Sequence, residues 1–593
     1  MRLNRLMAVT LCALTASAAA VAPATAATKG PTEPIHDYTQ AVRERVWVQT
    51  PVDSDADGRP DRVAVRVIRP ATATRVPVIF QASPYYAGLN DVPNHDDVDR
   101  GVSAFGTSPG LDRAAETITF SGYLDNYFVP RGYAVVFADS LGSGGSDGCP
   151  TSGGRNETLG MKAVIDWLNG RAPGFDESGQ AVGAGWSTGR TGMIGVSYNG
   201  TLPNAVAATG VRGLETIVPI AAISSWYDYY RANGGVVAPG GFQGEDTDVL
   251  AKAVLTRAHP EVCERVLADL EKRQDRETGD YNAYWAERNY VRDAGKVRAS
   301  VFVVHGLHDD NVRTQQFGQW WDALRGPKKI WLHQADHTDP FNVRRDVWLA
   351  TLHRWFDFWL YRIDTGIMGD PQADVETAPG HWQTSSTWPP RSTRPVSEKL
   401  GSGPRQVFVD DPARTPQSLV ANETVPDPNR LIHLGPELAR ETRLSGTASV
   451  TVRADLTGGS PYLTALLVDY GTADRWAGTR TLAEQDCVGP GIPGDPGCFN
   501  RREEVVDSTP YEIVTRGWLD VRNRLTPART TPIRAGQSDE FRWNLQPTEH
   551  VFAAGHRIGL VLVSTDRDHT LRYPAGTVVG VRPALSSVTL PLS

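Results

Sequence analysis

Cysteine is scarce in this chain. Five occur in 593 residues, and none is spaced C-x-x-C. That argues against a thioredoxin-like redox centre and against a zinc site. Lysine and arginine do not cluster and the net charge is −8, so the basic stripe of a nucleic-acid binder is missing. No H-E-x-x-H occurs, and His305, His308 and His333 lack the carboxylate spacing of a metalloprotease. No internal repeat and no long low-complexity tract is present. No metal and no cofactor is therefore expected.

The one sustained apolar run stands at the N-terminus. Arg2 and Arg5 precede an alanine- and leucine-rich stretch from Leu6 to about Val21, and Ala24-Thr25-Ala26 has the small-x-small form of a cleavage site. The run is too short for a membrane anchor and lacks a stop-transfer flank. Residues 1–26 are expected to be a secretory signal peptide without a twin-arginine pair, and the protein to be secreted, with no membrane partner. Cys12 leaves with that leader. The remaining four cysteines form an even set in an oxidising compartment. Cys487 and Cys498 bracket a Gly/Pro-rich loop and are expected to pair locally. Cys149 with Cys263 is the leftover possibility.

A composition of 22% charged and 40% hydrophobic residues is globular, and the length implies roughly three to four domains. Strand-like runs at 76–80, 134–137, 191–196, 215–218, 301–304 and 330–332 alternate with helix-like runs such as 157–169 and 345–361. Such alternation predicts a mostly parallel sheet covered on both faces. Residues 225–298 interrupt it with a polar, aromatic, helix-like insertion placed to cap a site at the strand ends. Before it, Asp53-Ser-Asp-Ala-Asp57-Gly58-Arg-Pro-Asp61 opens like an EF-type calcium loop, but Ala64 stands where the bidentate glutamate belongs. An Asx-rich hairpin turn is the favoured reading.

The expected organisation is α/β: an α/β-hydrolase domain in two parts, 27–224 and 299–365, with a helical cap at 225–298. A Pro/Ser/Thr/Trp-rich linker or crossing segment follows at 366–400. Short β-rich runs from 401 to 593 then predict a C-terminal β-sandwich of jelly-roll type.

The chemistry centres on Gly195-Val196-Ser197-Tyr198-Asn199-Gly200. A strand-like run precedes Ser197, and an alanine-rich helix-like run follows it, with Pro203 near its start. That is the setting of a nucleophile elbow, which presents a serine at a sharp strand-to-helix turn. The usual G-x-S-x-G is not met, because Asn199 stands at the last position and Gly200 follows it.

A serine hydroxyl is a weak nucleophile and needs a base in reach. Two strand-like runs lead into His305-Gly306-Leu307-His308-Asp309-Asp310-Asn311-Val312 and His333-Gln334-Ala335-Asp336-His337. Ligands of open α/β sheets bind beyond the carboxyl ends of the strands. The order Ser197, Asp309, His337 is that of α/β-hydrolases. His337 would take the serine proton, and Asp309 would fix its tautomer. Asp310 is a rival for Asp309, while Asp336 and Asp339 flank His337.

Gly195-x-Ser-Tyr-x-Gly200, Ser83-Pro84-Tyr85, His305-Gly-Leu-x-Asp309-x-Asn311-Val312 and His333-Gln-x-x-His337 resemble the Xaa-Pro dipeptidyl-peptidase and cocaine-esterase family of serine hydrolases. Ile223-Ser-Ser-Trp226-Tyr227-Asp-Tyr229-Tyr-Arg231 and Gly240-Gly-Phe-Gln-Gly-Glu245-Asp246 resemble its Xaa-Pro dipeptidyl-peptidase branch. The resemblance covers nearly the whole chain beyond the leader. It implies Ser197 as nucleophile, Asp309 as orienting acid, His337 as base, and an oxyanion hole from the Tyr85 hydroxyl and the Tyr198 N–H. It further implies a proline pocket of Trp226, Tyr229 and Val312, with Glu245 holding the substrate's free ammonium. The implied partners are peptides with proline at the second position. Without the resemblance, Trp226 and Tyr229 read as cap packing and Glu245 as a solvated carboxylate. The rivals are an esterase or acylase of the same family, and a secreted glycan-binding protein with an inactive hydrolase fold. Oligomeric state is left open.

Overall fold

The computed structural model describes residues 30–101, 122–238 and 242–593. The leader expected at 1–26, and Gly240 and Gly241 of the second motif, lie outside the described residues.

The alternation resolves into one mixed sheet of eleven strands. In chain order they are β1 (Val42–Gln49), β2 (Arg62–Arg69), β3 (Val76–Ser83), β4 (Ala134–Asp139), β5 (Gly174–Phe175), β6 (Ser187–Val196), β7 (Leu214–Ile220), β8 (Ser300–Gly306), β9 (Lys328–His333), β10 (Ala373–Ala378) and β11 (His381–Ser385). Across the sheet they run β11-β10-β9-β8-β7-β6-β3-β4-β2-β1-β5. Every neighbouring pair from β10 to β4 is parallel. The pairs at the two ends are antiparallel.

Side-chain alternation along the central strands separates two cores. Val78, Phe80, Met193, Ile217 and Val303 pack with Met161, Val164, Leu202 and Val206 of the helices Arg155–Leu168 and Tyr198–Ala207. The intervening residues Ile79, Val135, Ile194, Val218, Phe302 and Val304 pack on the other face with Trp348, Leu352 and Trp355 of the helix Arg345–Phe356. With apolar partners on both faces, β3 and β8 are buried at every residue.

The β1–β2 connection is a hydrogen-bonded Asx turn. Asp53 accepts from the Asp57 and Gly58 N–H groups at 3.1 and 3.0 Å, and Asp61 accepts from Ser54 N and Oγ at 2.9 and 2.6 Å. Carboxylate oxygens of Asp53, Asp55 and Asp61 lie within 4.8 Å of one another, and Asp55 is ion-paired to Arg257 at 2.6 Å.

The described residues of 225–298 stand between β7 and β8 as short helices and a two-stranded hairpin, Arg231–Ala232 with Gly235–Val236. A disulfide from Cys149 to Cys263 ties this cap to the loop after β4.

The stretch 366–400 is more than a linker. Its β10 pairs in parallel with β9, and β11 closes that edge of the sheet. Arg394–Lys399 pairs instead with Ser587–Leu592 in the C-terminal domain. Ala373-Asp-Val-Glu-Thr-Ala carries too few apolar residues to read as a strand, and its neighbours β9 and β11 supply the missing contacts.

The C-terminal domain is two β-sheets of eight and four strands. Val450, Val452 and Phe541 of one face Ala465, Leu467 and Leu562 of the other across a shared core. Its longest element is a ribbon of Tyr462–Cys487 and Cys498–Asp520, closed at its tip by the Cys487–Cys498 disulfide. The tip lies on the hydrolase domain: Arg345 Nη1 donates to the Phe499 carbonyl at 3.0 Å, and Asn126 Nδ2 to the Pro490 carbonyl at 3.1 Å.

Candidate active site

Ser197 joins β6 directly to the helix Tyr198–Ala207 and has φ +63° and ψ −128°. Such backbone in a non-glycine residue costs of order 1–3 kcal/mol and persists only where its surroundings fix it. Here Ser197 N donates to the Ile220 carbonyl at 2.9 Å, and its own carbonyl accepts from Gly200 N at 2.9 Å, Thr201 N at 2.8 Å and Thr201 Oγ1 at 2.9 Å. A Cβ on Gly195 would stand 2.5 Å from the Asn199 carbonyl oxygen, and one on Gly200 would stand 2.6 Å from that of Gly195. The close approach thus falls at position 200, which explains the shifted glycine. Pro203, expected near the helix start, sits inside the helix.

Asp309 and His337 come from the loops after β8 and β9. His337 Nδ1 and Asp309 Oδ2 are 2.7 Å apart. The other carboxylate oxygen, Oδ1, accepts from the Asn311 and Val312 N–H groups at 3.0 and 2.8 Å. The acid is buried and both its oxygens are used, so His337 carries its proton on Nδ1 and presents Nε2 as a base. Asp310 is not the partner: its side chain is 71% exposed and lies 3.9 Å from His569 Nε2. Asp339 is occupied otherwise, accepting from Phe341 N at 2.9 Å. The loops bearing Tyr85, Ser197, Asp309 and His337 follow β3, β6, β8 and β9, all at the carboxyl edge of the parallel part of the sheet.

The aromatic residues form one connected series. Tyr85 meets Tyr198 edge-on at 6.0 Å, and Tyr198 meets Trp226 at 4.9 Å. Trp226 meets Tyr229 at 5.9 Å, and Tyr229 meets Tyr230 at 4.6 Å. Tyr230 then donates its hydroxyl to Glu245 Oε1 at 2.6 Å. Trp226 and Val312 are both 0% exposed. Trp226 donates Nε1 to the Tyr290 hydroxyl at 3.0 Å, so it backs the Tyr198 and Tyr229 rings. Glu245 is 5% exposed and therefore is no solvated surface carboxylate. Burial, then the charge of Glu245, push the Tyr229 and Tyr230 hydroxyls well above the usual phenol range.

Several participants were not singled out by sequence. Asn311 Oδ1 accepts from the Tyr229 hydroxyl at 2.7 Å, tying the cap to the acid loop. In sequence it lies two residues after Asp309, and its side-chain partner is 82 residues away. Glu157, 1% exposed, accepts from the Tyr198 hydroxyl at 2.6 Å and Gly153 N at 3.0 Å. Its only local signal was its place in a helix start. Arg313 donates to the Asp228 and Tyr229 carbonyls at 2.9 and 2.8 Å, and its burial lowers its pKa to about 10.

This fold and site define a serine hydrolase of the α/β-hydrolase class. Among solved structures, an α-amino acid ester hydrolase labelled with selenomethionine superposes with TM-score 0.61 at 16% identity, covering 97% of this chain and 100% of that one. The CocE/NonD family hydrolase from Staphylococcus aureus gives 0.62 at 14% identity, covering 95% and 99%. These likenesses concern the fold. Sequence comparison is more specific. Residues 57–339 match the family described as X-Pro dipeptidyl-peptidase (S15 family), and residues 365–588 match the X-Pro dipeptidyl-peptidase C-terminal non-catalytic domain. A Bacillus anthracis protein named "Putative Xaa-Pro dipeptidyl-peptidase" is 47% identical over 582 residues, 95% of this chain and 89% of that protein. The "Xaa-Pro dipeptidyl-peptidase" of Ligilactobacillus salivarius is 31% identical over 615 residues, 92% of this chain and 76% of that protein. The chain belongs to the X-Pro dipeptidyl-peptidase family and is an enzyme of that serine-peptidase type.

Proposed function

We propose that this protein is a secreted exopeptidase that releases Xaa-Pro dipeptides from peptide N-termini through an acyl-enzyme on Ser197. The observation that carries the reading is the unbroken series of contacts from the elbow through Tyr198, Trp226, Tyr229 and Tyr230 to the buried carboxylate of Glu245. It joins a nucleophile, flat aromatic surfaces suited to a pyrrolidine ring, and one anion that would pair with an α-ammonium.

Ser197 Oγ attacks the carbonyl carbon of the proline residue while His337 Nε2 takes the hydroxyl proton. The charge that gathers on the carbonyl oxygen is met by the Tyr198 N–H and the Tyr85 hydroxyl. As the first residue of its helix, Tyr198 has no intrahelical carbonyl for that N–H. The tetrahedral adduct collapses, the C–N bond breaks, and the leaving amine receives the proton from His337. A water then attacks the ester, gives its proton to His337 and frees the dipeptide; the proton returns to Ser197. Asp309 stabilises the imidazolium at each stage. No cofactor enters. Export is supported by the N-terminal leader sequence and by two disulfides, which persist in oxidising compartments.

Parallel hydrolysis of Gly-Pro, N-acetyl-Gly-Pro and simple ester chromogens tests this. Free Gly-Pro should be strongly preferred. Efficient cleavage of the acetylated substrate would remove the exopeptidase reading, and ester turnover alone would favour an esterase.

A further inference from the structure

His308 immediately precedes Asp309, and both of its ring nitrogens meet oxygen acceptors. Nδ1 bonds the backbone carbonyl of Gln334, in the loop that carries His337. Nε2 lies 3.0 Å from Glu512 Oε1, on the second strand of the C-terminal ribbon. A carbonyl and a carboxylate can only accept, so both bonds exist together only when the ring carries two protons and a positive charge.

The surroundings favour that state. Burial opposes charge on Glu512, yet the bond from His308 and the neighbouring His550 and Arg475 hold its carboxyl down at about 2. Arg475 Nε is 3.0 Å from Glu512 Oε2. Burial also opposes charge on His308, and Glu512, the Gln334 carbonyl and Asp310 outweigh it, raising the imidazole pKa. Glu504 of the same ribbon strand adds attraction, and His333 beneath the loops adds repulsion. The Trp476 ring stacks on the imidazole at 5.0 Å and 23°, a face that favours a cation. Asp469 anchors the far side, bonded to His550, His556 and Arg475 at 3.1, 2.8 and 3.1 Å.

We propose that His308, held as an imidazolium by Glu512, is a positioning residue for the Asp309–His337 pair, and that the C-terminal domain takes part in the reaction through it. The proposal rests on the triad reading above. One cation joins the acid loop, the base loop and the ribbon, and so fixes the two loops whose side chains meet at 2.7 Å. A misplacement of about 1 Å in such a constellation costs on the order of a hundredfold in rate.

The test uses the full chain with His308→Gln, Glu512→Gln and Ser197→Ala. A glutamine at 308 cannot reach both acceptors, and one at 512 keeps the shape without the charge. Both should lower kcat for a Gly-Pro chromogen about tenfold to hundredfold with KM within about twofold. The pH profile separates positioning from mere structure. The imidazolium is complete below its raised pKa, and one bond is lost as pH rises through it. The rate of fluorophosphonate labelling, a probe with no amine, should therefore fall on the alkaline side in the wild type. That fall should move down by about one pH unit or more in Glu512→Gln and vanish in His308→Gln. A folded His308→Gln with wild-type kcat and profile overturns the proposal. Should His308→Gln fail to fold, an unmoved alkaline limb in Glu512→Gln overturns it equally. An active Ser197→Ala would sink the triad reading itself. A dead Ser197→Ala beside two normal clamp variants would sink only the clamp.

Discussion

Replacing Asp309 by asparagine isolates the tautomer argument. Asp309 Oδ1 is pinned by two N–H groups, Asn311 at 3.0 Å and Val312 at 2.8 Å. An asparagine will keep its carbonyl oxygen there. Turning it round would set an NH₂ against two buried donors and lose about 1–3 kcal/mol for each bond. The amide NH₂ must then face His337 Nδ1, where the carboxylate now lies at 2.7 Å. A donor opposite Nδ1 makes that nitrogen an acceptor, so the ring proton moves to Nε2 and the base is lost. Loss of the right tautomer with geometry intact lowers kcat by roughly 10⁴-fold, about 5 kcal/mol of barrier. Hydrolysis of a Gly-Pro chromogen gives kcat, fluorophosphonate labelling reports the nucleophile independently, and a melting curve checks the fold. Asp310→Asn is the control: its exposed carboxylate is 3.9 Å from His569, so kcat should stay within about threefold. The reasoning fails if Asp309→Asn keeps more than roughly a tenth of wild-type kcat, or if Asp310→Asn proves the more damaging change.

Gly200→Ala should disable the elbow and cost about 1–3 kcal/mol of stability, because its Cβ would meet backbone oxygens of Gly195 and Ile220 at 2.6 and 2.8 Å. Gly183→Ala, with nothing within 4 Å, should be neutral by the same denaturation and activity assays, and equal behaviour of the two would refute the packing argument. Glu245→Gln keeps an acceptor for the Tyr230 hydroxyl but removes the charge. It should lower kcat/KM for free Gly-Pro about tenfold to hundredfold and leave a small ester almost unaffected; equal losses on both would make Glu245 purely structural. Opening Cys149–Cys263 by serine substitution should destabilise more than opening Cys487–Cys498. Their sequence separations are 114 and 11 residues, which in the chain-entropy treatment differ by about 2 kcal/mol. Urea unfolding of the two paired variants measures that difference, and the reverse order would point to native-state contacts as the controlling factor.

Local sequence was sufficient where a single element carries the information. Glycines at 195 and 200 around Ser197, between a strand and a helix, already specify an elbow, because the close approach they permit is a property of that one turn. Short apolar runs alternating with helix-like stretches identify the central strands and their covering helices, because a strand covered on both faces buries every residue. The motifs around Asp309 and His337 follow adjacent strands, so their order along the chain carries over into space. Residues from separate segments were less legible. Which of 309 and 310 faces His337 depends on how the 305–312 loop turns, and two backbone N–H groups fix Asp309 there. Ala373–Ala378 became a strand only between β9 and β11. The His308–Glu512 contact spans 204 residues, and neither residue's own surroundings in sequence announce the other. Sequence by itself determined the fold class and offered Ser197, Asp309 and His337 as candidates, because apolar runs and turn geometry act over a few residues. The tertiary structure alone decided which carboxylate faces His337, what encloses Glu245 and what bridges the loops after β8 and β9, because those outcomes depend on long-range packing that brings distant donors, acceptors and charges into contact.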